Sequence, residues 1–116
     1  MFRPLAALKF AAKHDIRGGT GPALGGDYLV RGDMAGVLGC GRTILEPGSS
    51  VGEHSHPDTE EFYLVLDGNG LALLDGASFP VGPGDLFVCK AGHAHGLVND
   101  SSAPLTYLAV LTGCAR

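Results

Sequence analysis

The chain has 116 residues, a net charge of −4 and a pI near 5.6. This length corresponds to one domain, residues 1–116, whose core is large enough to need neither disulfides nor a metal for stability. The acidic balance excludes the clustered basic surface that binds a phosphate backbone, so we expect no nucleic-acid partner. No apolar run approaches the length of a membrane span, so we expect no membrane partner either.

The cysteine content indicates a compartment. The three cysteines, Cys40, Cys89 and Cys114, are odd in number and lack the close spacing of a disulfide framework. Unpaired thiols are typical of reducing surroundings, and we therefore expect a cytoplasmic protein.

Glycine and proline divide the chain into short segments. With 19 Gly, 7 Pro and only 17% charged residues, the composition favours many short strands joined by tight turns over helices. The predicted fold class is therefore all-β, a barrel or a sandwich.

Residues 1–27 carry the weakest pattern of the chain. Apolar residues within 5–10 can form a short strand or a helical turn that packs on the rest of the domain or on a partner subunit. The glycine-rich residues 18–22 and 25–26 are typical of a loop. This segment offers no candidate site.

Regular strands are predicted from Tyr28 onward. Residues 28–31 form one candidate and residues 35–45 a second, which a turn at residues 46–48 ends. Arg42 is a lone cation among the apolar residues of that second strand. It is a candidate for binding a substrate carboxylate inside the domain, and an outward position on the other face of the strand stays open.

The next two strands carry the side chains with the most chemistry. On the strand 51–56, His54 and His56 are two residues apart and share a face, so their imidazoles can point at one position. A glutamate at the start of the following strand, Glu60 or Glu61, can reach the same position. Imidazole nitrogen and carboxylate oxygen are ligands of divalent first-row metals, so the pattern predicts a metal site.

The remainder of the chain has the pattern of hairpins. Turns at residues 67–70 and 75–76 separate short apolar segments, and about eight or nine strands result in all. The strands predicted here are residues 71–74, 77–81, 85–90, a strand that carries His95 and ends at Asn99, and residues 105–111.

Two stretches of the chain resemble the two motifs of the cupin superfamily. The first motif is matched in full, and the second is matched except at its proline position, which holds Lys90. This departure weakens the turn signal but leaves the histidine in register. The matching residues are Gly48, His54, His56, Glu61 and Gly68 in the first motif, and Gly84, Gly92, His95 and Asn99 in the second.

The resemblance implies a small double-stranded β-helix, or jelly-roll barrel, that holds one divalent transition metal, whether Fe, Mn, Ni, Zn, Co or Cu. The spacing to Gly68 selects Glu61 over Glu60 as the carboxylate ligand. Three neutral imidazoles and one carboxylate offset a single charge of the ion, so the centre stays a Lewis acid. The implied ligands are His54, His56, Glu61 and His95.

Neighbouring side chains are further candidates. An inward Glu61 also places Tyr63 inward by strand alternation, where it is either a proton donor that orients substrate or a core residue. His93 precedes His95 by two residues and is either a catalytic acid or base or a solvated loop residue. Asn99 is interpreted as structural.

The function implied is that of a metal-dependent enzyme acting on a small oxygen-bearing organic molecule, of the dioxygenase type. A non-redox isomerase, cyclase or lyase is one alternative, and a non-enzymatic small-molecule binding or sensing module is another. The strand after Glu61 is apolar on its outward face as well, at Phe62, Leu64 and Leu66. Because that face also needs a cover, we expect a homodimer.

Overall fold

The structure, a computed structural model, describes residues 1–113. In this range the chain forms two short 3-10 turns, Leu5–Ala7 and Ile16–Gly18, and ten β-strands. No helix of the described part is long and apolar enough to cross a membrane. Numbered in chain order, the strands are β1 Ala11–His14, β2 Pro22–Met34, β3 Val37–Leu45, β4 Ser50–Ser55, β5 Thr59–Asp67, β6 Gly70–Leu74, β7 Ala77–Val81, β8 Leu86–Cys89, β9 Ala94–Val98 and β10 Leu105–Gly113.

The strands form two antiparallel sheets. The larger sheet has the order β1-β2-β3-β10-β5-β8, and the smaller has the order β4-β9-β6-β7. From β3 to β5, and again from β8 to β10, consecutive strands alternate between the two sheets. This connectivity closes the sheets face to face, and the predicted all-β jelly-roll barrel is confirmed.

The core lies between the two sheets. Strand β5 shows how the pattern of the sequence fills it, because Tyr63 and Val65 are 3% and 0% exposed while Phe62 and Leu64 on the other face stay partly exposed. Alternate side chains of one strand therefore separate into a core face and an outer face. The apolar side chains that are fully buried include Leu45, Val65, Leu97 and Leu105.

The turn before β9 sets the position of His95. The N–H of His93 donates to the carbonyl of Lys90 at 3.0 Å, and the N–H of Gly92 donates to the carbonyl of His56 at 2.8 Å. Gly92 has a φ of 84°, a conformation that glycine adopts without steric cost. These hydrogen bonds form the turn although Lys90 stands where the motif has proline.

Residues 1–27 contain two strands that were not predicted, and one of them includes the predicted loop residues 25–26. Strand β1 pairs with β2, and β2 begins at Pro22 instead of Tyr28. Gly25 and Gly26 therefore lie inside a strand. A β-carbon on Gly26 would be 3.4 Å from Leu8, which is only 8% exposed. Pairing with β1 and β3 and the burial of Leu8 outweigh the poor strand propensity of these glycines.

Candidate metal centre

Three strands bring the four motif side chains to one place in the barrel. His54 lies in β4 and His56 directly follows that strand, while Glu61 lies near the start of β5. His95 is in β9, and the pairing of β4 with β9 sets it directly opposite His54. The group therefore joins both sheets, since β5 belongs to the larger one.

The ligand atoms of this group converge closely. Nε2 of His56 and Nε2 of His95 are 3.0 Å apart. The same two nitrogens lie 3.2 Å and 3.1 Å from Oε1 of Glu61. With His54 included, all four ligand atoms lie within 4.8 Å of one another.

These separations fit a metal ion. Ligand atoms about 2.0–2.2 Å from an ion are about 3 Å apart when they take adjacent octahedral positions, which matches the distances among His56, Glu61 and His95. Three imidazole nitrogens and one carboxylate oxygen suit Fe, Mn, Co, Ni, Zn or Cu. The residues present thus fit one divalent transition metal.

Hydrogen bonds behind the rings fix their orientation. Nδ1 of His54 donates to the carbonyl of Gly52 at 2.7 Å, so Nε2 of that ring carries the lone pair. Oγ1 of Thr59 lies 3.2 Å from Nδ1 of His56 and holds that ring in the same way. Such contacts are typical of metal-binding histidines, whose second nitrogen is held by the protein.

His95 differs from the other two histidines at its second nitrogen. The ring is 0% exposed, and its Nδ1 has no hydrogen-bond partner among the residues that the structure describes. A buried polar atom without a partner costs about 1–3 kcal/mol. His95 thus lowers the stability of the metal-free fold, as is expected of a residue that serves a site rather than the core.

Burial keeps His54 and His56 neutral. It lowers the pKa of His54, against the hydrogen bond to Gly52, and it lowers the pKa of His56, against the nearby carboxylate of Glu61. The positive charge of Arg17 lowers the pKa of both rings further. Because neutral imidazole is the form that binds metal ions, these shifts favour metal binding at neutral pH.

Tyr63 packs against the group from inside the core. Its ring centroid is 4.4 Å from that of His95 and 4.7 Å from that of Tyr107. Burial raises the pKa of Tyr63 and, against a hydrogen bond with Thr43, raises the pKa of Tyr107 to about 12. Both phenols therefore stay neutral at physiological pH, where they can donate a proton or a hydrogen bond.

A cavity of about 290 Å³ adjoins the group on the side of the larger sheet. Glu61 contributes to its wall, so the cavity leads to the candidate metal position. Tyr107 also lines it, together with glycines of β2 and β3 that leave space between the strands. The residues that line the cavity come from β1, β2, β3, β5 and β10 and from the turn Ile16–Gly18.

Arg42 and His93 are not brought to this group. Arg42 is not among the residues that line the cavity, although its neighbours Gly41 and Thr43 are. The side chain of His93 is 56% exposed and lies 2.7 Å from Asp75 on the outer surface. Neither residue lines the cavity in this structure.

The two described cysteines, Cys40 and Cys89, form no disulfide. Cys40 and Cys89 are free thiols, of which Cys40 lines the cavity and Cys89 is buried. Cys114 lies outside the described residues. Asn99 is buried and donates to the carbonyls of Leu45 and Ala103 at 3.0 Å and 2.9 Å, which agrees with its interpretation as structural.

Two cations near the cavity were missed by sequence reasoning. Lys13 lines the cavity, and the charge of Arg17 acts on the rings of His54 and His56. Both residues belong to the N-terminal segment that was given no site. No local pattern marks them, because only the packing of this segment on the barrel brings them near the group.

Comparisons with known proteins agree with this description. A family model described as cupin domain matches residues 41–111. The chain is 37% identical over 70 residues to an oxalate-binding protein of Thermotoga maritima, an alignment that covers 60% of this chain and 58% of that protein. It is 33% identical over 108 residues to a 5-aminosalicylate 1,2-dioxygenase of a Comamonas species, covering 86% of this chain and 28% of that protein. The chain thus spans less than two thirds of these curated relatives.

Among solved structures, the chain is similar to that of a predicted oxalate decarboxylase from Thermotoga maritima. The TM-score is 0.94 at 29% identity, and the superposition covers 98% of this chain and 100% of that chain. Since the domain model matches more than half of the sequence and the whole barrel superposes, the chain belongs to the cupin family.

Proposed function

We propose that this protein is a metal-dependent cupin enzyme that acts on a small oxygen-bearing organic molecule in a reaction of the dioxygenase type. The metal would be held by His54, His56, Glu61 and His95. A divalent ion held there supplies Lewis acidity to a substrate oxygen and, as iron, the activation of dioxygen.

The observation that carries this proposal is the convergence of ligand atoms beside a cavity. Three of them, from His56, Glu61 and His95, lie 3.0–3.2 Å apart. The carboxylate of Glu61 also lines a space of about 290 Å³, enough for a small molecule. A purely structural histidine cluster has no need of such a space.

The protein's own side chains have defined parts in this proposal. His54 and His56 present neutral nitrogens, while Tyr63 fixes the ring of His95 by packing against it at 4.4 Å. Tyr63 and Tyr107 are candidate hydrogen-bond donors, since burial raises the pKa of both phenols and keeps them protonated.

The test combines metal analysis with oxygen consumption. Purified protein is expected to contain one transition metal per chain, and substitution of both His54 and His56 with Ala is expected to abolish it. An oxygen electrode with aromatic and aliphatic hydroxy acids then tests the reaction class. Full metal retention in the double variant would refute the ligand assignment.

Turnover without oxygen uptake would instead indicate the non-redox isomerase, cyclase or lyase. Stoichiometric ligand binding without turnover would indicate a binding module, which the name of the oxalate-binding relative favours as the second candidate. The two outcomes differ in whether the recovered ligand is chemically altered.

We also propose that the protein is a cytoplasmic homodimer. The outer face of β5 and β8 pairs Phe62 with Val88 and Leu64 with Leu86, and the two β8 residues are 46% and 51% exposed. A second copy on this face would bury these residues. Light scattering is expected to give twice the chain mass, and Val88→Glu to give a monomer, whereas Val30→Glu on β2 should leave the mass unchanged.

A further inference from the structure

Lys13 reaches the cavity from β1. It pairs with Ala23, a core residue, so its side chain lies on the inward face of the sheet. A β-carbon on Gly25 would be 2.9 Å from Cε of Lys13, which shows that the lysine stem lies across this glycine. The absent side chain of Gly25 therefore leaves the room in which Lys13 extends to the cavity wall.

Arg17 is held close to the histidines by the packing of its backbone on β4. The N–H of Ser50 donates to the carbonyl of Thr20 at 2.7 Å, and Oγ of Ser50 accepts from the N–H of Thr20 at 2.9 Å. The carbonyl of Arg17 lies directly over Gly52, where no β-carbon could fit. The carbonyl of Gly52 in turn orients His54, so Arg17 contacts the backbone that supports a candidate ligand.

The backbone of Arg17 is itself unusual. It has φ 53° and ψ 38°, the left-handed conformation, which costs a residue with a side chain about 1–2 kcal/mol. The contacts of the turn with β4 offset this cost. They therefore hold Arg17 at a fixed position next to the barrel, although its side chain is exposed.

Both cations are free to bind an anion. Within residues 1–113, neither Lys13 nor Arg17 forms an ion pair, whereas Arg3 pairs with Asp33 at 3.5 Å. Two carboxylates line the cavity, those of Asp27 and Glu61. Glu61 belongs to the candidate metal group, where a divalent ion would more than offset its charge, so among the described lining residues Asp27 is the acid left to oppose Lys13.

The cavity limits the size of the bound anion. Its volume of about 290 Å³ is at the lower end of ligand pockets. Ile16, Ala109 and Leu111 add apolar wall. These dimensions and walls suit an aliphatic body of a few carbon atoms between charged ends.

We propose that Lys13 on the wall of this cavity, together with Arg17, whose backbone packs on Gly52 beside His54, binds the carboxylate of a small organic acid. The inference rests on the proposed function, because the other end of the acid faces the metal group. It narrows the class of expected ligands from oxygen-bearing organic molecules to small dicarboxylates and related anions. Lys13 and Arg17 are then residues that determine specificity.

Calorimetric titration of the cobalt(II)-loaded protein with succinate tests this proposal. Lys13→Gln and Arg17→Gln are each expected to raise the dissociation constant for succinate about tenfold or more, since each loses a charge-assisted hydrogen bond. Lys13→Arg is expected to restore most of the affinity. The neutral analogue succinamide is expected to bind far more weakly, and with the same affinity to all variants.

Lys9→Gln is the matched control, because it removes a cation just before β1 that does not line the cavity. It is expected to bind succinate as the unaltered protein does. Unchanged affinity in both the Lys13 and Arg17 variants would overturn the proposal, and so would an absence of succinate binding by the unaltered protein. If only one of the two variants loses succinate affinity, the residue substituted in that variant binds the anion. The proposed role of the other residue is then wrong.

Cobalt content, measured on the same samples, separates this inference from the proposed function. If neither the unaltered protein nor any variant takes up cobalt, the proposed metal-dependent function is wrong. Succinate titration of the metal-free protein then tests the two cations alone, and binding that still depends on Lys13 and Arg17 supports their role in anion binding without the metal. Circular dichroism of each variant shows that the fold is retained.

Discussion

His93 and His95 are two residues apart in the sequence, and each is paired with a carboxylate. The two pairs differ in burial and in surroundings. His93 is paired with Asp75 at 2.7 Å, and the side chains are 56% and 53% exposed. His95 is paired with Glu61 at 3.1 Å, and the side chains are 0% and 13% exposed. The shorter pair is thus on the surface and the longer one is in the barrel.

The difference teaches that a short distance alone does not mark a site. An exposed ion pair contributes about 0–1 kcal/mol, because water competes for both partners. In the barrel, Oε1 of Glu61 is shared by His56 and His95, and Nδ1 of His95 has no partner in the described residues. The protein tolerates an arrangement that is costly without a ligand, which is a better indicator of function.

The largest expected effect is on metal content. His95→Ala should abolish stoichiometric metal, because it removes one of four ligands and opens the group. His93→Ala should retain one metal per chain, since its ring lies on the outer surface. Elemental analysis of the two purified variants measures both, and equal metal content in the two would remove the basis of the comparison.

A second prediction concerns the aromatic support that only the buried histidine has. Tyr63 stacks on His95 at 4.4 Å and is 3% exposed, so Tyr63→Ala should cost about 3–5 kcal/mol of unfolding free energy. Tyr63→Phe keeps the ring and should cost about 1 kcal/mol at most. Urea denaturation measures both variants. If Tyr63→Phe also loses activity while it keeps its metal, the hydroxyl takes part in the reaction.

A third prediction concerns the stability of the folded protein with and without metal, and how that stability depends on His95. A metal at one hundred times its dissociation constant should stabilise the protein by about 2.7 kcal/mol, and chelator should reverse this. His95→Leu should show no such response. Without metal, His95→Leu should be at least as stable as the unaltered protein, because it removes a buried polar atom that has no partner.

Thermal unfolding with cobalt(II) and with chelator measures this difference. A marked loss of stability in metal-free His95→Leu would contradict the view that His95 is held for the site at the expense of the fold. His93→Leu is the control, and should respond to metal as the unaltered protein does.

The smallest effect is expected for the exposed pair. The N–H of Ala94, followed by the imidazole of His93, holds the pKa of Asp75 below its ordinary value of 3.8. The stability this adds is present above pH 3.8 and is lost as the pH falls through the lower value of the folded protein. Asp75→Asn should therefore lower the melting temperature slightly at neutral pH and weaken its dependence on pH in acid.

Melting temperatures across the acid range measure this effect, and Asp67→Asn at the exposed end of β5 is the matched control. If Asp75→Asn instead removed the metal, the exposed pair would belong to the site and the comparison would fail.

Much of the fold was predictable because short-range signals agreed with one another. Alternation identified the inward face of β5, including Tyr63 and Val65, and turn residues bounded most strands. The N-terminal strands were missed, because Gly25 and Gly26 have poor strand propensity and are held in β2 by neighbouring strands. Local composition does not contain that information.

The candidate site was predictable to the extent that residues close in sequence define it. His54 and His56 share a face by spacing alone, and the motif supplied Glu61 and His95. Arg42 was a reasonable candidate for anion binding but does not line the cavity. Lys13, which lines it, and Arg17, which lies near the histidines, are 37 or more residues from His54 and His56 in the sequence.

The sequence by itself determined most of the strands and turns from residue 28 onward, because alternation and turn residues act within a few positions of one another, and the resemblance of its two motifs supplied the four donor side chains. Only the tertiary structure decided which histidine is buried and which is solvated, that Lys13 lines the cavity and that Arg17 lies near the histidines. Those outcomes depend on pairing between distant strands and on the seating of the N-terminal turn on Gly52, contacts whose free energy arises after the chain has closed into a barrel.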